Sequence, residues 1–274
     1  MTATTVAPTP ATTTTTTTGT PRTTPERTPF RRIVSVELRK MFDTRSGFWL
    51  MASIVLLAVI ATGATVIFAP RDELTYETFA SAVGFPMAVI LPLVAILAVS
   101  SEWSQRTALT TFTLVPSRRR VLAAKGLLTV LIGAVSMLVA AGVGALGNVV
   151  GTAIAGVDPT WNVEVGEFAQ IILANEIGML MGFMLGVVLR NSPAAIVSYF
   201  VYSLVLPGVS SALASTQEWW SENGAWIDHN WATMRLFDND MTGEMWAQLG
   251  VTSVIWLVLP LLVGTRALLR SEVK

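Results

Sequence analysis

The chain of 274 residues has no cysteine, one histidine and little charge. Without thiols it has no disulfide staples, no thiolate nucleophile and no cysteine-based metal site. The lone histidine, His229, rules out a His-Glu-x-x-His zinc protease. No aspartate falls within a long apolar stretch, which removes an aspartyl protease working inside a membrane. Gly208-Val209-Ser210 faintly resembles a serine nucleophile turn, but His229 is expected in a distant outer loop, so the pair lacks a geometry. Lys40, Lys125 and Lys274 are the only lysines and none has a glycine-rich approach, so no Gly-x-x-x-x-Gly-Lys-Ser/Thr loop can cradle nucleotide phosphates. Charged residues make up 13% of the chain against 52% hydrophobic ones, too little polar surface to sheathe its apolar runs in a water-soluble fold.

What the chain does have is six apolar stretches: Phe48 to Ala69, Phe79 to Ser100, Leu127 to Val150, Phe168 to Leu189, Ala194 to Ala214 and Ala247 to Thr265. Each is close to the ~20 helical residues that cross ~30 Å of hydrocarbon. The N-terminus, segments 101–126 and 190–193 and the C-terminus hold 16 of the 18 basic residues, whereas the other three connectors hold only Arg71 and Arg235 but 12 of the 18 acids. Basic residues near span ends stay on the cytoplasmic side, so both termini are expected inside and the acidic loops outside. The zero net charge conceals about +11 inside and −10 outside, a polarity that suits anionic lipid and does not call for nucleic acid. The expectation is an all-α integral membrane protein with six transmembrane helices.

Residues 1–29, rich in Thr, Pro and Ala with an unbroken Thr12–Thr18 run, read as a disordered cytoplasmic tail. Arg31 and Arg32 lie too far from the first apolar run to form a twin-arginine export signal. Residues 30–46 read as an amphipathic interfacial helix, with Phe30, Ile33, Val34, Leu38, Met41 and Phe42 on one face and Arg32, Ser35, Arg39 and Asp43 on the other. Glu37 interrupts the apolar face, and two readings stand: a surface acid paired with Lys40, or a contact with a soluble partner beneath. Residues 47–270 form the six-span domain and 271–274 a cytoplasmic C-terminus. Arg190-Asn191-Ser192-Pro193 dictates a tight antiparallel hairpin with Pro193 in the first turn of span five. In 215–246, Trp219, Trp220, Trp226, Trp231 and Trp246 alternate with acids, which predicts short outer interfacial helices, as anchors or as a lid over an exit path. His229 is expected to be solvated there.

Inside the spans, Gly178, Gly182 and Gly186 form a strip for close helix packing, either within the subunit or between two subunits. Pro92, Pro207 and Pro260 predict kinks unless neighbours restore the freed backbone bonds. Glu176, beside Asn175, lies eight residues from Phe168, hence roughly 12 Å deep. Holding an acid there costs about 2.5–3.5 kcal/mol, so it is expected to face the bundle interior, as a structural acid or as a cation or proton site.

The segment from Ser101 to Lys125 is the most distinctive. A short cytoplasmic helix from about Glu102 to Leu114 is expected, with Trp103 at the interface and Pro116 ending it before Arg118, Arg119 and Arg120. The order Glu102-Trp103, Arg106-Thr107, Pro116, Arg118 and Lys125 resembles the connector between spans two and three in permeases of type-2 ATP-binding-cassette exporters. Val36-Glu37-Leu38-Arg39-Lys40, the glycine-rich fourth span followed by Arg190-Asn191, Leu206-Pro207 and the long loop before span six extend the resemblance over about residues 30 to 272. Arg106 stands where the family usually has glycine. The resemblance implies that the segment is a coupling helix, and that Glu37, Arg39, Lys40, Glu102, Trp103, Arg106, Thr107, Pro116 and Arg118 couple the permease to a cytoplasmic ATPase. It further implies two ATPase copies, a second permease copy or paralogue, no cofactor, and export across a bacterial cytoplasmic membrane. Two other classes stand beside it: an ATP-independent secondary transporter using Glu176, and a membrane scaffold or immunity-type protein that moves nothing.

Overall fold

The computed structural model describes residues 28–43, 45–104, 118–237 and 241–270. Among these the fold is all-α, with one isolated bridge, Thr75 to Thr160, in place of any sheet. Helix α1 is Phe30–Asp43, α2 Arg45–Phe68, α3 Tyr76–Ser104, α4 Arg118–Ala155 and α5 Val165–Leu189. Helix α6 runs over Ser192–Thr216, α7 over Glu218–Asn223, α8 over His229–Met234 and α9 over Gly243–Arg270. Helices α2 to α6 and α9 are long and apolar enough to cross a membrane, one for each apolar stretch of the sequence, which makes this a multi-pass membrane protein. The expected spans fall inside the observed helices except at Ala69, one residue past the end of α2, and most of the helices extend past them because polar end residues continue the backbone ladder. The 38 residues of α4 give it about 57 Å, so it projects beyond the hydrocarbon and carries Arg118 and Lys125 at its basic end.

Helix α5 lies at the centre: 56% of its apolar window is buried, against 12% for α2 and 11% for α6, whose large apolar side chains face outward. The core joins Val83, Leu91, Val94 and Val99 of α3 to Met179, Phe183 and Val187 of α5 and Met137 of α4. The close approach of α3 and α5 comes from the glycine strip. A methyl group at Gly182 would sit 2.5 Å from the Pro92 carbonyl oxygen, and one at Gly186 would sit 3.1 Å from that of Ile96. Gly182 and Gly186 are therefore occupied within the subunit, against α3.

The prolines are accommodated in two ways. Pro92 has no N–H for the Ala88 carbonyl one turn back, and the Tyr199 hydroxyl of α6 donates to that oxygen instead, at 3.0 Å. Pro207 and Pro260 each follow a π turn, Val201–Val205 and Val254–Val258, in which the Leu206 and Leu259 N–H reach back five residues to Val201 and Val254. The two segments, VYSLVLP at 201–207 and VIWLVLP at 254–260, repeat one pattern and solve the proline clash alike.

Short polar ties close the two ends. At the acidic end Asn162 exchanges two bonds with Glu77, at 2.8 and 3.1 Å, and Asn148 donates to the Thr160 carbonyl at 3.0 Å. At the basic end the Ser192 hydroxyl meets those of Ser100 and Ser104 at 2.8 and 3.0 Å. These bonds clamp the α5–α6 hairpin to α3. Arg190 closes α5 in the left-handed region at φ 51°, and the Asn191 side chain accepts from the Ala194 N–H to start α6, with Pro193 in its first turn.

Candidate functional site

Three elements meet at the basic end, and the helical repeat of each brings one charged residue to the junction. On α1 the inward face carries Ile33 and, one turn on, Glu37; Ile33 packs against Val121 and Ala124 of α4. That contact sets Glu37 level with Lys125. The last turn of α3 adds Glu102. Lys125 Nζ lies 2.6 Å from Glu37 Oε2 and 3.3 Å from Glu102 Oε1, and donates to the Ala98 carbonyl of α3 at 2.7 Å, which uses its three donor positions. Lys40 closes the ring, 2.8 Å from Glu37 Oε1 and 3.2 Å from Glu102 Oε1.

Glu37, Glu102 and Lys125 are 4%, 7% and 7% exposed, so three buried charges, closed by the part-exposed Lys40, form a neutral quartet and not a surface charge pattern. Burial opposes the charge on Glu37, but Lys125 and then Lys40 outweigh it and hold the carboxyl below its usual range. Burial likewise opposes the Lys40 ammonium, and Glu37 and Glu102 hold it above its ordinary value. Removing one partner would strand a buried charge, so α1, α3 and α4 are held together by electrostatics at this end.

The structure corrects one expectation for Glu37. Its pairing with Lys40 is present, but the acid is buried and its carboxylate turns into the bundle with both oxygens engaged, so it is not a surface acid. Arg39 is exposed and pairs with Asp43 at 3.1 Å. Trp103 and Arg118 border a small cleft with Val99, Val121, Leu122 and Lys125, and Arg118 Nη1 donates to the Leu268 carbonyl of α9 at 3.3 Å. Arg106, Thr107, Pro116 and most of the expected Glu102–Leu114 helix lie outside the described residues, as do residues 1–27 and 271–274. Lys125, which the sequence offered only as the last place of a motif, is the hub.

Within the spans, Asn175 is buried and its amide donates to the Ile171 carbonyl at 2.9 Å. Glu176 is half-buried, yet both carboxylate oxygens are enclosed and neither has a hydrogen-bond partner among the described residues. Gly133 of α4 faces it. Gly178 is looser than its companions in the strip, 3.9 Å from Pro92 Cγ and the Tyr199 hydroxyl.

At the acidic end α7 and α8 fold back onto the bundle. Ala232 and Leu236 pack on Ala174 and Ile177 of α5 and Leu249 of α9. Trp220 donates to Ser210 of α6 at 3.1 Å, and Trp256 of α9 to the Ile227 carbonyl at 2.7 Å. His229 overturns its expectation of solvation: it is 1% exposed, with Nδ1 3.2 Å from the Thr252 hydroxyl of α9 and the Tyr202 ring tilted beside it, centroids 6.4 Å apart. Thr252 gives its own proton to the Gln248 carbonyl, so Nδ1 carries the histidine proton and donates. Burial pushes His229 down to about 4, against the opposing pull of Asp228.

No protein-family model matches the chain, and comparison with the curated proteins gives no match either.

Proposed function

We propose that the chain is the membrane-spanning permease of a type-2 ATP-binding-cassette exporter in a bacterial cytoplasmic membrane, with both termini inside. It works with a second permease copy or paralogue and two ATPase subunits. One observation carries the reading: Glu37 and Lys40 of the entry helix, Glu102 at one end of the connector and Lys125 at the other converge in one charged quartet, buried except at Lys40. These are positions through which the resemblance to such permeases runs. A water-soluble motor touching the exposed side of α1, or the connector between α3 and α4, would grip three elements that cannot move separately without stranding a charge. Helix α4 is long enough to carry that displacement to the acidic end.

The chemistry of energy supply lies elsewhere, since the chain has no nucleotide-cradling loop. Its own part is to change which end of the cavity between paired permeases is open. The test is ATP hydrolysis by the purified complex in lipid nanodiscs. Glu102→Gln is expected to lower permease-dependent hydrolysis several-fold while the chain inserts at wild-type abundance. Unchanged hydrolysis in that variant, or no ATPase subunit bound to the wild-type chain, contradicts the reading.

A further inference from the structure

The carboxylate of Glu176 is the one acid inside a span and has no place in the coupling described above. It lies on α5, the most enclosed helix, and projects toward Gly133 of α4. A methyl group at Gly133 would collide with Glu176 Oε1, would lie 2.8 Å from Cδ and would meet the Met179 sulfur at 2.9 Å. The glycine is therefore what makes room for the acid. Among the described residues, no group that could balance a negative charge bonds to it. On α4, Lys125 is taken up by Glu37, Glu102 and the Ala98 carbonyl. On α6, the Tyr199 hydroxyl is committed to the Ala88 carbonyl, and the Tyr202 ring lies tilted beside His229. On the segments folded over the acidic end, His229 gives its proton to Thr252, and neither Arg235 nor Asp228 forms a bond to Glu176. On α3 the ionisable groups, Tyr76, Glu77 and Glu102, stand at its two ends, and on α9 Glu244, Arg266 and Arg270 do the same.

We propose that Glu176 is a proton-binding site: the side chain is held as the neutral acid while α4 lies against α5, and releases its proton when the two helices part at Gly133. The ligand is a proton because both carboxylate oxygens are enclosed and no second ligating group among the described residues bonds to them, as an amine or a metal ion would require. An enclosed acid without a donor is stable only in its uncharged form, since the charged form would forfeit hydration with nothing in exchange. Parting of α4 and α5 would admit water and remove that constraint, so proton release would report the opening of this seam. The inference stands independently of the ATPase partner.

Infrared difference spectroscopy on the full chain in lipid nanodiscs at pH 7, wild type minus Glu176→Gln, tests it. The expected result is a protonated-carboxyl stretching band present in the wild type and lost in the variant. A second variant, Gly133→Ala, presses a methyl group against the carboxyl and is expected to lose the same band while the other five spans keep their helical signal. Absence of a Glu176-dependent protonated band in folded wild-type protein at pH 7, with a carboxylate band in its place, overturns the proposal. Persistence of the band in Gly133→Ala overturns the role given to that glycine.

Discussion

At the residue scale, Lys125 decides most. Two other helices, α1 and α3, give it partners, and its side chain is buried. Lys125→Met leaves Glu37 and Glu102 with Lys40 alone, and breaking a buried pair from one side costs about 3–5 kcal/mol. The expected outcome is a large drop in thermal stability in detergent, read by size-exclusion of heated samples. The double exchange Glu37→Lys with Lys125→Glu is expected to recover part of the loss, whereas either exchange alone is not. The pH window follows from the shifted groups. Glu37 is lowered, so its contribution is present above the ordinary carboxylate range and is lost as pH falls through its folded value. Lys40 is raised, so its contribution is complete below the ordinary lysine value and is lost only as pH rises through the folded one. Tyr199→Phe is milder. The Ala88 carbonyl loses its donor, but polar groups in an unfolded membrane chain also find partners, so the expected loss is about 0.6 kcal/mol, toward the low end for a buried hydrogen bond.

Such residue roles were only partly legible. Glu37 on an otherwise apolar face was a true signal that an acid belonged inside, and the sequence contains the missing cation. What it does not contain is the pairing: Lys40 meets Glu102 at a sequence separation of 62 and Tyr199 meets Ala88 at one of 111. Such contacts depend on how helices pack, and local pattern carries no trace of that. His229 shows the same limit, because an isolated loop histidine looks solvated until the loop is seen to fold back onto α5 and α9.

At the scale of elements, the six spans were legible because hydrocarbon imposes one requirement, ~20 apolar residues, that no other structure satisfies as simply. The π turns before Pro207 and Pro260 were legible in principle, since V-x-x-L-V-L-P occurs twice, but the pattern has meaning only once the widened turn is seen. The glycine strip gives a sharp prediction at this scale. Gly182→Ala drives a methyl group into the backbone of α3 and is expected to cost about 1–3 kcal/mol as an overpacked contact, while Gly178→Ala meets nothing closer than 3.9 Å and is expected to be tolerated. Thermal unfolding of the two variants side by side separates them. The outer segment has its own pH signature. His229 is neutral when buried, at about 4, against about 6.5 in the unfolded chain. Its contribution is full above about 6.5, declines as pH falls and is lost below about 4. Hydrogen exchange in residues 218–237 is expected to accelerate over that fall in the wild type and to stay flatter in His229→Asn.

At the scale of the molecule, the two ends differ in kind. The basic end is fastened by buried ion pairs and exposes the outer face of α1, while the acidic end is fastened by hydrogen bonds and apolar packing without a buried ion pair among the described residues. The proposed permease function would use that difference, because a driven end must transmit force and an opening end must release. The absence of cysteine makes the orientation and the motor contact directly measurable. Ser35 lies on the exposed face of α1, away from the quartet. With Ser35→Cys as the single thiol, cross-linking in inside-out membrane vesicles that contain the chain with its ATPase is predicted to join the two subunits, and to do so more efficiently with ATP bound. A thiol at residue 35 that reacts with an impermeant reagent from the outside of intact cells, or that never joins to an ATPase subunit, would contradict the account.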